Sequence, residues 1–247
     1  MIDSLVVNKL LFFKWCPKVA QLKTKVHMNL IELNTNTQTK STQAEVSPDM
    51  AVDLLKAGNS RFVENKQVGR SLLNQVGDTS TGQYPFATVL SCIDSRVSSE
   101  LIFDQGIGDI FSIRIAGNFI NADILGSMEF ACKLAGTKVI VVLGHTSCGA
   151  VKGACDDAKL GNLTSMLDKI KPAVNGVAEP SDQSLRNSKN IDFVNTVSKK
   201  NVELSIGRIL AESPILAEMQ EVGDISIVGG MYDISSGKVE FYSDAEA

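Results

Sequence analysis

Apolar positions along this chain switch between two patterns. The runs "FATVLSC" (86–92), "IFSIRIAG" (110–117) and "TKVIVVLG" (137–144) are nearly continuous, as expected of parallel strands covered on both faces. Between and after them lie helical stretches. "ADILGSMEFACKLAG" (122–136) reads as a helix stopped by Gly136, and "CGAVKGACDDAKLG" as a helix or helix start. A long helix is expected over 192–212 and a shorter one over 213–221. "DISIVGGMYD" (224–233), a turn at "SSGK" and "VEFYS" (239–243) read as a closing hairpin. Upstream, Ser47 is placed to cap a helix whose first turn holds Pro48 and Asp49. Met50, Leu54, Leu55, Ala57, Phe62 and Val63 supply its apolar positions, with a break expected near Gly58. Residues 70–84 read as loop. The alternation predicts an α/β fold. It has a mostly parallel central sheet, about four parallel strands plus an antiparallel edge strand, flanked by helices.

The first 46 residues differ in character and are expected to form a flexible arm and linker, with one folded domain over 47–247. Lys9, Lys14, Lys18, Lys23 and Lys25 stand against Asp3 around an apolar patch, Leu10 to Trp15. A targeting segment, a partner-binding or membrane-surface helix and an inert extension all fit. Lys14 interrupts the patch and no small-residue cleavage site follows, which argues against a secretory signal. "NTNTQTKSTQAEV" (34–46) is Thr- and Gln-rich and reads as linker.

Composition narrows the class. The 247 residues are 44% hydrophobic and 21% charged, an ordinary globular balance. The net charge of −4 argues against a nucleic-acid or anionic-membrane surface. The five cysteines, Cys16, Cys92, Cys132, Cys148 and Cys155, are odd in number and dispersed, unlike a disulfide framework. A reducing, cytoplasmic location is the simpler expectation. The two histidines, His27 and His145, rule out a three-histidine zinc site within one chain.

Two predicted strands end in chemically loaded turns. One gives "CIDSR", in which Cys92, Asp94 and Arg96 share a side if the chain stays extended. The other gives "GHTSCGA", with His145 and Cys148 three apart. Ligands of open α/β sheets bind beyond the carboxyl ends of the strands. Together the turns offer two thiolates, an imidazole and a carboxylate, a set suited to tetrahedral zinc. A single buried cysteine is more often core packing. That is the expectation for Cys132 and Cys155, while Cys16 and His27 read as solvated residues of the arm. Asp94 has two possible roles. It can be a fourth ligand, or it can pair with Arg96 and leave a fourth place for water, as in catalytic zinc sites.

"CIDSRV" followed some fifty residues later by "GHTSCGAVKGA" resembles the β-class carbonic anhydrases, and the likeness runs from about Ser47 to Phe241. The resemblance implies one Zn2+ per chain on Cys92, His145 and Cys148, joined by Asp94 only in a closed state. It implies a catalytic Asp94–Arg96 dyad, reversible hydration of carbon dioxide to bicarbonate and a proton, and a homodimer or homotetramer. Residues 47–247 would then be the catalytic domain. "GQYPFA" places Gln83 where the plant-type branch has a glutamine that reaches substrate, commonly across the subunit interface. Phe111 falls on that branch's pocket phenylalanine, whereas Phe130 stands where it has a tyrosine. Val89 replaces the tryptophan of the bicarbonate-gated branch. Phe111, Phe130 and Ile93 would wall an apolar pocket, and the backbone near Gly149 would offer donors to the anionic product. A carbonyl sulfide or carbon disulfide hydrolase shares the ligand set. A non-catalytic zinc or bicarbonate binder would be expected to lack Asp94, Arg96 or Gln83, all of which are present. A dithiol redox role lacks a CxxC pair.

Overall fold

The computed structural model describes residues 36–242. The arm residues singled out above, from Lys9 to His27 and including Cys16, lie outside them. The sheet has five strands in the order β2-β1-β3-β4-β5: β1 is Ala87–Ser91, β2 Ile110–Arg114, β3 Val139–His145, β4 Ser226–Tyr232 and β5 Val239–Phe241. The first four pair in parallel and β5 closes the edge antiparallel to β4, as the hydrophobic pattern predicts. All residues of β1 and β3 are buried. β2 departs from the expected two-sided cover: as an edge strand it buries Ile110 and leaves its other positions partly open.

The helices follow in chain order: α1 (Lys40–Glu45), α2 (Pro48–Val63), α3 (Leu72–Thr79), α4 (Ser99–Ile102), α5 (Ala122–Glu129), α6 (Gly149–Cys155), α7 (Gly161–Asp168), α8 (Lys171–Gly176), α9 (Ile191–Glu212) and α10 (Pro214–Glu221). α2 starts as expected, with the Ser47 hydroxyl accepting from the Met50 N–H and Pro48 in the first turn. It does not break at Gly58. That glycine is there for close approach, because a Cβ would stand 1.8 Å from the Phe103 carbonyl oxygen. α5 continues as a π-helical turn, Phe130–Leu134, before Gly136 stops it at φ +84°.

Two stretches read as irregular are helical. Residues 72–79 form α3, whose buried Gln75 accepts the Ile107 N–H at 3.0 Å, so a polar tertiary contact anchors a short segment whose apolar residues Leu72, Leu73 and Val76 stay exposed. The segment read as linker carries α1, capped by Thr39. Gln43 donates to the Pro85 and Ala135 carbonyl oxygens at 2.6 and 2.8 Å, and Val46 is buried. Polar composition misleads here, because a glutamine amide can satisfy backbone groups that no apolar side chain could.

Each sheet face is covered by its own core. Leu54 and Leu55 of α2 pack with Phe86, Val89, Phe103 and Tyr232 on one side. Ile206 and Ile209 of α9 pack with Leu90, Ile140, Met128 and Leu216 on the other. Full burial of each such side chain contributes about 1.5–3 kcal/mol. A third cluster, with Phe119, Val151, Leu167, Ile170, Phe193 and Val197, surrounds Cys92 and Cys148. The chain leaves β1 for β2 on one side and crosses to β3 on the other. The carboxyl ends of β1 and β3 therefore flank the switch point, where an open α/β sheet makes its crevice.

Candidate metal centre

Cys92 follows directly on β1, His145 ends β3, and Cys148 is the residue before α6. Because Ser91 pairs with Leu143, Cys92 emerges one residue before His145 on neighbouring strands. The turn from β3 to α6 is held by Ser147 at φ +55°, whose N–H donates to the Asn195 side-chain oxygen at 2.8 Å. This geometry gathers Cys92, His145 and Cys148 into a buried group whose ligand atoms all lie within 4.8 Å of one another.

Three features suit the group to a metal ion. The two sulfurs are 4.0 Å apart, and a tetrahedral ion with Zn–S arms of ~2.3 Å would hold them about 3.8 Å apart. His145 Nδ1 lies 2.9 Å from the Thr146 carbonyl, so that nitrogen carries the proton and Nε2 presents a lone pair. Nε2 is buried and has no hydrogen-bond partner among the described residues. The donor set, two sulfurs and an imidazole, matches zinc better than magnesium or calcium.

Electrostatics separates the two thiols. A hydrogen bond from Cys148, opposed by burial and aided by the Gly117 N–H, draws Cys92 below the usual thiol range. Sharing that proton with Cys92, together with burial, pushes Cys148 up. Gly117 N approaches Cys92 Sγ at 3.3 Å. Beside the group, Asp94 is gripped by Arg96, and this pairing holds its carboxyl well below the usual carboxylate range. Asp94 Oδ2 is 3.9 Å from His145 Nε2.

Within one subunit the structure does not bring Gln83, Phe111 or Phe130 to this group, whereas Gly149 and Ile93 adjoin it. Gln83 is exposed and precedes β1 at the amino end of the sheet. It is separated from Cys92 by the length of a five-residue strand, roughly 17 Å. Phe111 sits near the amino end of β2 and packs on Phe130, with ring centroids 6.3 Å apart. Phe130 is half exposed, and Ile93 is exposed. Gly149 opens α6 beside Cys148, with no neighbour within 4 Å of where a Cβ would stand. Cys132 is buried against Thr137, and burial pushes its thiol up to about 11; half-buried Cys155 behaves likewise. Both stay outside the ligand group.

Sequence reasoning missed the supports. Arg114, at the end of β2, donates through Nε to the Cys92 carbonyl at 3.0 Å and through Nη2 to the Asp94 carbonyl at 2.7 Å, fixing the turn that carries both residues. A lone charge inside the apolar run "IFSIRIAG" is the signal that could have found it. Asn195 and Asn201, from a helix far along the chain, left no such signal.

Comparison with known proteins agrees with this geometry. The family model described as carbonic anhydrase matches residues 87–239. The chain is 34% identical over 199 residues to carbonic anhydrase 2 of Mycobacterium tuberculosis, covering 78% of this chain and 91% of that one. It is 32% identical over 203 residues to the carbonic anhydrase of Mycolicibacterium smegmatis, covering 80% and 94%. The solved structure of the β-carbonic anhydrase CcaA superposes with a TM-score of 0.63 at 28% identity, covering 71% of this chain and 87% of that one. The β-carbonic anhydrase CafA of Aspergillus fumigatus does so with 0.62 at 28% identity, covering 71% and 82%. With a family match across the sheet, relatives above 30% identity over most of their length, and a Cys–His–Cys group at the switch point, the chain belongs to the β-class carbonic anhydrase family of enzymes.

Proposed function

We propose that this protein hydrates carbon dioxide reversibly to bicarbonate and a proton, using one zinc ion held by Cys92, His145 and Cys148. The observation that carries the reading is the unpartnered, fully buried His145 Nε2 facing two thiols. When bound, zinc would supply a Lewis acid that acidifies a water towards pKa about 7.

The chain's own groups orient the reaction. Asp94 stands at the edge of the ligand group as a carboxylate. Arg96 holds it, so it accepts hydrogen bonds there instead of joining the ligand set. Depressed by Arg96, it keeps no proton near neutral pH and therefore cannot carry one out. Protons leave by water and buffer. Carbon dioxide is small and apolar, and exposed Ile93, between Cys92 and Asp94, offers it a wall at the mouth of the group.

Gln83, Phe111 and Phe130 fit this site in a second subunit. β2 is a sheet edge running parallel to β1. A two-fold axis at that edge, perpendicular to the strand, sets β2 antiparallel to its copy. The amino end of one sheet, with Gln83, then lies beside the carboxyl end of the other, with Cys92. The unit is a homodimer or a pair of dimers. Ligand thiols 4.0 Å apart are best kept reduced, which supports a reducing compartment such as the cytoplasm.

Stopped-flow carbon dioxide hydration before and after chelation, with light scattering on the same sample, tests the reading. Zinc-dependent hydration by a dimer or tetramer is expected. Full activity after complete zinc removal would overturn the metal assignment, and an active monomer would overturn the shared site.

A further inference from the structure

We infer that Asn201 is a positioning residue for the metal centre: from the middle of α9 it holds the Gly117 carbonyl so that the N–H of the same residue stays on the Cys92 sulfur. The inference rests on Cys92 being a metal ligand, as proposed above.

Asn201 is an unexpected residue where it stands. Asparagine is a poor choice inside a helix, and burying its amide is costly unless the amide is hydrogen-bonded. Yet it is only 4% exposed. Its Nδ2 donates to the Gly117 carbonyl at 2.8 Å, across 84 residues of chain. One turn on, Ser205 Oγ donates to the carbonyl of the next residue, Asn118, at 3.4 Å. α9 therefore grips two consecutive peptides of the turn after β2.

The gripped turn leaves little freedom. Gly117 has φ +79°, and a Cβ there would stand 2.4 Å from Ile170 Cδ1. The N–H of the same residue is the group that approaches Cys92 Sγ at 3.3 Å. Asn201 holds one end of Gly117 and the sulfur receives the other. A hydrogen bond to a thiolate withdraws electron density from sulfur and fixes its direction. Partners that orient a ligand in this way commonly change metal affinity by about 10–100-fold when removed. Core packing alone would be served by an apolar side chain with no polar atoms to satisfy; leucine has the same branched outline as asparagine, though it is larger, and alanine is smaller.

Cobalt-substituted protein tests the inference, because the thiolate-to-cobalt charge-transfer band reports electron density on sulfur directly. Asn201→Leu and the smaller Asn201→Ala are expected to move the band to lower energy and to weaken zinc retention against a chelator by about 10–100-fold. Ile209→Ala, a core truncation in the same helix away from the turn, controls for general loosening and should leave the band in place. An unmoved band in whichever Asn201 variant folds, or an equal shift in Ile209→Ala, would overturn the inference. If the unsubstituted protein shows no thiolate-to-cobalt band, the ligand assignment itself fails, a result distinct from either of these.

Discussion

Arg96 reaches back two residues to Asp94 with three donors. Its backbone N–H and Nε approach Oδ1 at 3.0 and 2.9 Å, and Nη2 approaches Oδ2 at 2.7 Å. The pair holds the carboxylate beside the ligand group, with Oδ2 3.9 Å from His145 Nε2. An unheld carboxylate at that distance needs only a rotation to reach an ion on the imidazole.

Arg96→Ala should therefore free Asp94 to join the ligand set. Hydration should fall by about 100-fold or more, on the scale of losing an oriented acid–base group, while zinc content stays near one per chain. Elemental analysis beside the rate assay checks this, and a variant within a few-fold of the parent rate would show that the pair is only structural.

Cys148→Ser should lose most of the zinc, because a serine hydroxyl stays protonated near neutral pH and is a poor ligand. Full retention on dialysis would remove Cys148 from the site. Cys132→Ser, at a buried thiol outside the group, should keep its metal.

Asp109 gives a pH-dependent prediction away from the site. It is 1% exposed; Oδ2 accepts the Gly106 N–H, and Oδ1 has no partner among the described residues. Burial pushes its carboxyl up to about 6, against ~3.9 in an unfolded chain. A raised carboxyl contributes stability that is present below the unfolded value and is lost as pH rises through the folded one. Asp109→Asn, which cannot ionise, should gain on the parent by about 2–3 kcal/mol between pH 4 and 7. Urea titrations across that range would show the gap widening; a constant gap would mean that Asp109 is not ionised against burial.

The N-terminal boundary can be tested by truncation. Removing residues 1–35 should leave hydration within a few-fold. Removing 1–45 takes away Gln43 and leaves the Pro85 and Ala135 carbonyls without its amide, at about 1–3 kcal/mol for each buried group left unmatched. Melting temperatures of the two truncations should separate clearly, and equal values would return α1 to the status of a linker.

How legible each part was depends on what held it. The strands and the Cys92, His145 and Cys148 group were readable because buried parallel strands are nearly pure apolar runs. Polar residues at their ends then stand out. α1, α3 and the Gly58 region were not, because what decides them is contact with residues distant in sequence. Gln43 reaches Pro85, Gln75 reaches Ile107, and Gly58 makes room for Phe103. Asn201 serves the site through a backbone carbonyl, a contact that leaves no residue-type pattern to find, whereas Arg114, which does the same, is marked by its lone charge in an apolar run.

The pairing of β1 with β3 has a consequence for how the protein matures. Cys92 and His145 meet because Ser91 is opposite Leu143. A slip of one residue would turn one of the two to the other side of the sheet. A misassembled chain would therefore separate Cys92 from His145 and Cys148, which both follow from β3. Under the proposed ligand set, metal uptake would act as proofreading: only a correctly threaded sheet offers all three ligands together, and a bound ion would then oppose later slippage.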